Sequence, residues 1–267
     1  MISIIICSID SGNFTDVSAA YARQMGPEPY EIIGIHDARS LSEGYNRGLQ
    51  VARGDICVFS HDDIEILSEN LGGTLRRHLA EWDVVGVAGT TRLAAMFWAV
   101  AGISHARGIV THRDPQGYSL EFFGAPEIVN GGIQALDGLF IAARREVAER
   151  IRFDETTFDG WHGYDTDFTF RCHLAGYRLA VCLNIQLIHF SRGSYGEPWQ
   201  RYGQRFSEKH AAHLWPQAGP WLTVRRPLES REAIVAAYDL PALQALSRAV
   251  QGWVTGEVQV AGSQPVA

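Results

Sequence analysis

The stretch Asp55-Ile-Cys-Val-Phe-Ser-His-Asp-Asp-Ile64 decides the expected fold of this chain. Its apolar run, Ile56 to Ser60, has the length and composition of a buried strand. The run ends in His61, Asp62 and Asp63, an imidazole and two carboxylates that packing alone does not explain. Ligands of open α/β sheets bind beyond the carboxyl ends of the strands. Because adjacent carboxylates repel each other unless a proton or cation compensates them, the sequence predicts a divalent cation here.

Strand-like and helix-like segments alternate around this stretch. Continuous apolar runs at Ile2 to Cys7, Tyr30 to Ile35 and Asp83 to Gly89 are typical of strands buried on both faces. Amphipathic segments separate them, and we expect Ser42 to cap one of these helices and Gly54 to end it. The alternation predicts an α/β fold with a single Rossmann-like, mostly parallel sheet flanked by helices.

The second half of the chain is less regular. Residues 90–134 are rich in aromatic, Gly, His and Arg residues without periodicity, and fit either a substrate-facing excursion or irregular hairpins. Leu136 to Ala143 is predicted as the next strand, and Asp165 as the cap of a later helix. The apolar run Ile185 to Phe190 then delivers His189 at its end.

Composition narrows the class of protein. The net charge of -7 over 267 residues argues against a nucleic-acid partner. Four cysteines lack any C-x-x-C pair, which predicts reduced core thiols in a cytoplasmic protein. The longest apolar segment, Leu93 to Ile103, is too short to span a bilayer, although contact with the inner face of a membrane stays open.

Each candidate site has a structural alternative. His61, Asp62 and Asp63 also fit a solvated turn that caps the next helix. Asp165 and its neighbour Asp167 either complement the dipole of the helix that they begin, or one of them is a general base among aromatic rings. The spacing of the residues favours the two interpretations about equally. A single His at a strand end, such as His189, more often has a structural role. A functional role for His189 is favoured only if its side chain lies close to Asp63.

Five segments in one order make these features recognisable: SIIICS, GYNRGLQVARGDICVFSHDDI, LDGLFIAARREV, FDGWHGYDTDFTFRCHLAGYRL and IHFSRGS. Their order resembles the family 2 glycosyltransferases with the GT-A fold, in particular a small bacterial branch with His-x-Asp in place of Asp-x-Asp. The resemblance covers residues 2–205 and implies a catalytic domain there. Residues 206–267 are then expected to form a helical C-terminal extension that is interrupted at Pro241 and frayed in its last dozen residues.

The resemblance implies roles for individual residues. It gives Asp165 as catalytic base, preceded by Tyr164 where the family usually has Glu. Asp63, His189 and His61 become ligands of Mn²⁺ or Mg²⁺, with imidazole the poorer partner for Mg²⁺. Contacts to the nucleotide-sugar donor fall on Ser8, Asp10, Asp37, Asn46, His61, Asp62, Asp137, Gly138 and Arg192. Contacts to the acceptor fall on Trp161 and His162, because a Trp face suits a sugar ring.

The expected function is inverting, hexosyltransferase-like glycosyl transfer. Asp165 would deprotonate a hydroxyl of a glycan, lipid-linked or protein acceptor, and a metal-bound nucleoside diphosphate would leave. The oligomeric state is open, a homo-oligomer included. One alternative is a nucleotidyltransferase of related fold, but its basic Gly-rich loop is missing from residues 8–13. Another is a catalytically weak, glycosyltransferase-like binding or scaffold module.

Overall fold

The computed structural model describes residues 1–124, 127–193, 195–218 and 223–255 as two sheets with flanking helices. The strands are β1 (Ile2–Cys7), β2 (Tyr30–Ile35), β3 (Ile56–Ser60), β4 (Ile64–Ile66), β5 (Val84–Gly86), β6 (Ala88–Thr90), β7 (Ala106–Asp114), β8 (Gly117–Gly124), β9 (Val129–Ile133), β10 (Ala135–Leu136), β11 (Phe140–Arg144), β12 (Leu179–Cys182), β13 (Leu187–His189) and β14 (Val224–Leu228). The helices are α1 (Ser11–Gln24), α2 (Leu41–Val51), α3 (Leu71–Glu81), α4 (Arg145–Ile151), α5 (Tyr164–Leu174), α6 (Glu197–His210), α7 (Arg231–Ala237) and α8 (Leu240–Thr255).

The first sheet contains the predicted parallel strands β1, β2 and β3, beside antiparallel pairings made by β11 and β9. Its strand order is β2-β1-β3-β11-β5-β12-β9, and β1 pairs in parallel with both β2 and β3. The predicted strand Ile56–Ser60 is β3, with the same bounds and all five residues buried. The carboxyl ends of β1, β2 and β3 therefore lie along one edge of the sheet, which is the edge where ligands bind in this class of fold.

Two segments predicted as single strands divide between the two sheets. Asp83 to Gly89 becomes β5 in the first sheet and β6 in the second. Leu136 to Ala143 is likewise divided into β10 and β11, and β11 runs antiparallel to its neighbours β3 and β5. The prediction of one strand was wrong because the residues between β10 and β11 leave the ladder. Those residues, Asp137 to Leu139, cross from one sheet to the other and reach the site described below.

The second sheet was not predicted from the sequence. It runs β10-β6-β7-β13-β4, with β8 pairing β7 and β14 pairing β8. Residues 90–134 supply a 3₁₀ turn at Trp98–Ala101 and the long β7–β8 hairpin. The alternative of hairpins is therefore the one that the structure adopts. The sheet places this hairpin beside β13 and its terminal His189.

Helix α2 begins and ends earlier than predicted. The hydroxyl of Ser40, not of Ser42, accepts a hydrogen bond from the Glu43 amide at 3.0 Å. This spacing of three residues is the usual one for a capping serine. The C-cap is Ala52, so Gly54 lies beyond the helix and does not end it.

The chain after residue 205 contains more than helices. α6 continues to His210, and β14 pairs antiparallel with β8. The helical segment is interrupted between Ala237 and Leu240, not at Pro241, which lies in the first turn of α8 where its missing N–H breaks no bond. The division into residues 1–205 and 206–267 stays a prediction. The predicted fraying of the last dozen residues lies outside the described part of the chain.

Two further features concern the cysteines and the apolar character of the helices. All four thiols are unpaired, and burial raises the pKa of each to about 12. Within the described ranges, no helix combines the length and the apolar character needed to cross a bilayer.

Candidate active site

The three predicted metal ligands converge where the chain passes from the first sheet to the second. His61 and Asp63 lie in the turn between β3 and β4. β13 pairs antiparallel with β4 so that His189 lies opposite Ile64, and the Phe190 amide donates to the Asp63 carbonyl at 2.9 Å. The Asp63 Oδ1 atom lies 3.4 Å from His189 Nε2 and 3.7 Å from His61 Nδ1. The strand pairing therefore brings His189 to Asp63.

The charge states of this group suit a cation. Burial opposes ionisation of Asp63, yet the hydrogen bond and charge of His189, with the charge of His61, hold the pKa of the carboxyl well below its usual range. Burial, and then the charge of His189, lowers the pKa of His61. A carboxylate and a neutral imidazole are the forms that bind metals.

The spacing of the same three residues also fits a metal ion. One ligand atom from each lies within 4.8 Å of the other two, and among the described residues this is the one group of at least three His, Cys, Asp or Glu side chains so arranged. Two imidazoles and one carboxylate form a mixed nitrogen and oxygen set. Such a set fits Mn²⁺ or a later transition metal better than Mg²⁺.

The second ring nitrogen of His61 contacts helix α5. His61 Nε2 lies 2.8 Å from the Tyr164 hydroxyl, which donates to the Gly138 carbonyl oxygen at 3.4 Å. Tyr164 is buried, and burial raises the pKa of its phenol well above the usual value, so the hydroxyl keeps its proton. One aromatic side chain thus joins the predicted metal site to Asp137–Leu139, which we call the crossing loop because it passes from one sheet to the other.

Asp165 lies in the first turn of α5. The prediction that Asp165 caps this helix was wrong, because Gly163 occupies the cap position with a φ of 78°, which favours glycine. The Asp165 carboxylate instead accepts a hydrogen bond from the Gly138 amide at 2.7 Å. Burial, and then the negative charge of Asp137, raises the pKa of Asp165 to about 7. A carboxyl with this pKa is well matched to proton transfer near neutral pH.

The crossing loop is held by its own hydrogen bonds. Asp137 accepts bonds from the Trp98 indole at 2.8 Å and from the Leu139 amide at 3.0 Å. A β-carbon at Gly138 would lie 2.3 Å from the Tyr164 hydroxyl oxygen, closer than real β-carbons approach. Glycine is therefore required for the loop and helix α5 to lie this close.

His61, His189, Asp137 and Asp165 line one cavity of 360 Å³. The predicted acceptor residues Trp161 and His162 also line it, and Trp161 is 50% exposed. Much of the remaining wall is aromatic, formed by Phe97, Trp98, Phe123, Tyr164, Tyr195 and Trp199. The structure therefore brings the predicted base, two of the predicted metal ligands and the predicted acceptor contacts into a single cleft.

A second group of predicted residues lies at the ends of β1, β2 and β3. Ser8 Oγ lies 2.6 Å from Asp62 Oδ2 and 2.8 Å from the Asp10 carbonyl oxygen. The Asp10 side chain caps α1. Asp37 is exposed and pairs with Arg47 at 2.6 Å, which lowers the pKa of its carboxyl. This group surrounds the sheet edge beside the cavity, without lining the cavity itself.

Two residues predicted to contact the sugar donor, Asn46 and Arg192, already have hydrogen-bond partners within the protein. The buried Asn46 amide donates to and accepts from the Phe153 backbone, at 2.9 and 3.0 Å. It therefore ties α2 to the chain after α4 and does not line the cavity. Arg192 lines the cavity, but its guanidinium bonds Glu121 at 2.7 Å and Asp114 at 3.1 Å. Its charge is offset by these two carboxylates.

Three further residues that line the cavity were not predicted from the sequence: His112, Glu121 and Arg225. His112 donates from Nδ1 to the Ser191 carbonyl at 2.9 Å, and its ring centroid lies 5.3 Å from that of His189. The buried Glu121 bonds Arg225 at 2.8 Å. The turn residues Asp114-Pro-Gln-Gly117, between two runs of strand-forming residues, were the signal that would have identified the hairpin carrying His112 and Glu121.

Two solved structures share this arrangement of sheets and helices. One is the mannosyltransferase PcManGT from Pyrobaculum calidifontis in complex with GDP-Man and Mn²⁺, with 14% identity and a TM-score of 0.51 over 99% of this chain and 76% of that one. The other is GalNAc-T7 with UDP, GalNAc and Mn²⁺, with 11% identity and a TM-score of 0.52 over 78% of this chain and 47% of that one. The fold is therefore that of the GT-A glycosyltransferases.

The sequence narrows this class to a family. The profile described as "Glycosyltransferase like family" matches residues 3–211, and the chain belongs to that family. The resemblance inferred from the five sequence segments is confirmed. No curated protein matches the sequence closely enough to count as a relative.

Proposed function

We propose that this glycosyltransferase moves a sugar from a nucleoside diphosphate sugar to an acceptor hydroxyl, with inversion at the anomeric carbon. The observation that carries the proposal is that His61, His189 and Asp165 share one cavity. Glycosyl transfer of this kind needs positive charge at the leaving diphosphate and a base at the attacking hydroxyl. The two histidines, with Asp63, serve the first need and Asp165 serves the second.

His61, Asp63 and His189 would hold a divalent cation. When bound, the cation supplies positive charge that stabilises the departing diphosphate. We favour Mn²⁺ over Mg²⁺ because two of the three ligands are imidazoles. The Mn²⁺ in the PcManGT and GalNAc-T7 structures supports that choice.

Asp165 acts as the general base in this proposal. Its carboxylate takes the proton of the acceptor hydroxyl as the oxygen attacks the anomeric carbon from the side opposite the diphosphate. The new carbon–oxygen bond forms as the bond to the diphosphate breaks, so the configuration inverts. The Gly138 amide orients the carboxylate, and the raised pKa lets it accept a proton near neutral pH.

We assign the rest of the donor to two regions. The polar group at the ends of β1, β2 and β3, made of Ser8, Asp10, Asp37 and Asp62, would contact the nucleoside. Asp137 and Gly138 would contact the donor sugar, since they line the cavity between the histidines and Asp165. The nucleotides in the two solved structures support a nucleoside diphosphate as the common element.

We propose a carbohydrate hydroxyl as the acceptor. The half-exposed face of Trp161 lies in the cavity that Asp165 lines, and His162 lies next to it. Burial lowers the pKa of His162, which favours a neutral ring able to donate and accept hydrogen bonds. An aromatic face packs well against the apolar face of a sugar ring. The unpaired thiols support a cytoplasmic location for the reaction.

A thermal-shift panel tests the proposal. UDP, GDP, dTDP and CDP are each added with Mn²⁺, with Mg²⁺ or with EDTA. A nucleotide at about 100 times its Kd stabilises the native state by about 2.7 kcal/mol, which raises Tm by about 5–10 °C in a protein of this size. We expect one nucleotide to give this shift with Mn²⁺, and Asp63→Ala to lose the Mn²⁺-dependent part while the exposed-site control Asp16→Ala keeps it. The absence of a shift with every nucleotide would favour the binding-module alternative.

A further inference from the structure

The two ring nitrogens of His61 face different partners. Nδ1 lies 3.7 Å from Asp63 Oδ1, on the side of the metal-ligand group, whereas Nε2 lies 2.8 Å from the Tyr164 hydroxyl. A neutral imidazole carries one proton, and the nitrogen that carries it has no lone pair for a metal. The hydrogen bond at Nε2 therefore decides whether His61 can act as a ligand through Nδ1.

We propose that Tyr164 is a positioning residue of the cation site, which holds His61 in the tautomer protonated at Nε2. The inference rests on the cation site of the proposed function. The Gly138 carbonyl oxygen, 3.4 Å from the Tyr164 hydroxyl, can only accept. The Tyr164 proton therefore points to Gly138, the phenol oxygen accepts from His61 Nε2–H, and Nδ1 keeps its lone pair towards Asp63 and His189.

If the hydrogen bonds that link His61, Tyr164 and Gly138 ran in the opposite direction, fewer of them would form. A proton on Nδ1 would face Asp63 Oδ1 across 3.7 Å, which exceeds hydrogen-bond distance. The Tyr164 hydroxyl would then donate to His61 and no longer to Gly138. Metal-bound histidines generally donate their other N–H to a fixed acceptor, and loss of that acceptor weakens metal binding about 10- to 100-fold.

The protein holds the Tyr164 hydroxyl in place. Its side chain is buried, with the ring centroid 5.7 Å from that of Tyr45 and 6.2 Å from that of Phe153. Gly138 leaves room for the hydroxyl, since a β-carbon there would come within 2.3 Å of it. The Gly138 amide bonds Asp165. A single glycine is therefore in contact with the side chain that orients a metal ligand and with the proposed base.

Mn²⁺ affinity without nucleotide tests the inference. The electron paramagnetic resonance signal of free Mn²⁺ gives the Kd of the wild type and of Tyr164→Phe, and we expect the variant to bind about 10- to 100-fold more weakly. Tyr202→Phe is the matched control, because Tyr202 is also buried and its hydroxyl bonds Asp159 at 2.9 Å, away from the metal-ligand group. Its Kd for Mn²⁺ should equal that of the wild type.

Two further measurements separate orientation from a general loss of structure. In a His61→Ala background, Tyr164→Phe should weaken Mn²⁺ binding no further, because its effect passes through His61. Nitrogen-15 spectra of the histidine rings in the metal-free wild type, assigned by comparison with His61→Ala, should show the Nε2–H tautomer. This second measurement does not depend on the folding of Tyr164→Phe.

The outcomes distinguish this inference from the function on which it rests. A wild-type protein that binds no Mn²⁺ overturns both. Wild-type binding with an equal Kd for Tyr164→Phe, or an Nδ1–H tautomer of His61 in the wild type, overturns only the role of Tyr164.

Discussion

Replacing Asp165 by Asn should make the protein more stable at alkaline pH. The pKa of Asp165 rises from the ordinary 3.8 to about 7 because of burial and the charge of Asp137. The native state therefore binds this proton more tightly than the unfolded chain. Between about pH 4 and pH 7 the carboxyl ionises readily in the unfolded chain but only at a cost in the native state. The free energy of unfolding therefore falls over that window. Above about pH 7 the contribution of Asp165 to it is constant. Asn keeps a carbonyl oxygen for the Gly138 amide and has no charge to bury.

The size of this stability effect follows from the shift in the pKa of Asp165. Each unit corresponds to about 1.4 kcal/mol, so the limiting cost of the carboxylate is about 4 kcal/mol above pH 7. Because the Asp165 side chain is only partly buried, we reduce this to about 2 kcal/mol. The stability advantage of Asp165→Asn over the wild type should then grow by about 1–2 kcal/mol between about pH 5 and pH 8.

Urea unfolding of both proteins at the two pH values measures this difference. Effects of titrating groups that do not interact with Asp165 cancel when variant and wild type are compared at one pH. Asp16→Asn removes an exposed carboxylate and controls for the lost charge. A stability difference that stays constant or shrinks between pH 5 and pH 8 would show that Asp165 is not held with a raised pKa, and would remove the physical basis of its role as base.

Three other substitutions test neighbouring parts of the site. Asp137→Asn should move the acidic limb of the pH–kcat/KM profile to lower pH, because the charge of Asp137 raises the pKa of Asp165; an unmoved limb contradicts the coupling. Asp167→Asn should destabilise the protein by about 3 kcal/mol, measured by urea unfolding, because it removes the charge of a buried carboxylate that pairs with Arg171 and Lys209; a change below about 1 kcal/mol contradicts this. Gly138→Ala should lower kcat at least about 10-fold and weaken Mn²⁺-dependent nucleotide binding, since its β-carbon displaces Tyr164. Wild-type turnover by Gly138→Ala would show that the loop has room.

The sequence was sufficient for β1, β2 and β3, whose bounds are those of the predicted strands. β3 was predicted with both of its ends because its apolar run lies between Gly54-Asp55 and His61-Asp62. The contact between His189 and Asp63 was expected from the family resemblance alone, because the pattern of residues does not show that the two strands pair. It depends on the antiparallel pairing of β13 with β4, two three-residue strands far apart in the chain, and nothing in such short runs specifies a partner.

Polar residues in regular elements were the least predictable. Asn46 lies in an amphipathic helix, and only the fold shows that its amide bonds the Phe153 backbone. His61 and Tyr164 were visible as two departures from the motif that the sequence resembles. Their mutual contact at 2.8 Å emerges only when α5 packs against the turn after β3.

The central claim is that the cleft between His61 and Asp165 performs glycosyl transfer with Asp165 as base. Its most direct test is the rate of nucleoside diphosphate release at about pH 8, with Mn²⁺ and the sugar nucleotide and carbohydrate acceptor that support turnover of the wild type. Asp165→Asn should lower kcat by about 100- to 10,000-fold with the Kd for the nucleotide unchanged. Turnover of Asp165→Asn at the wild-type rate would contradict the claim.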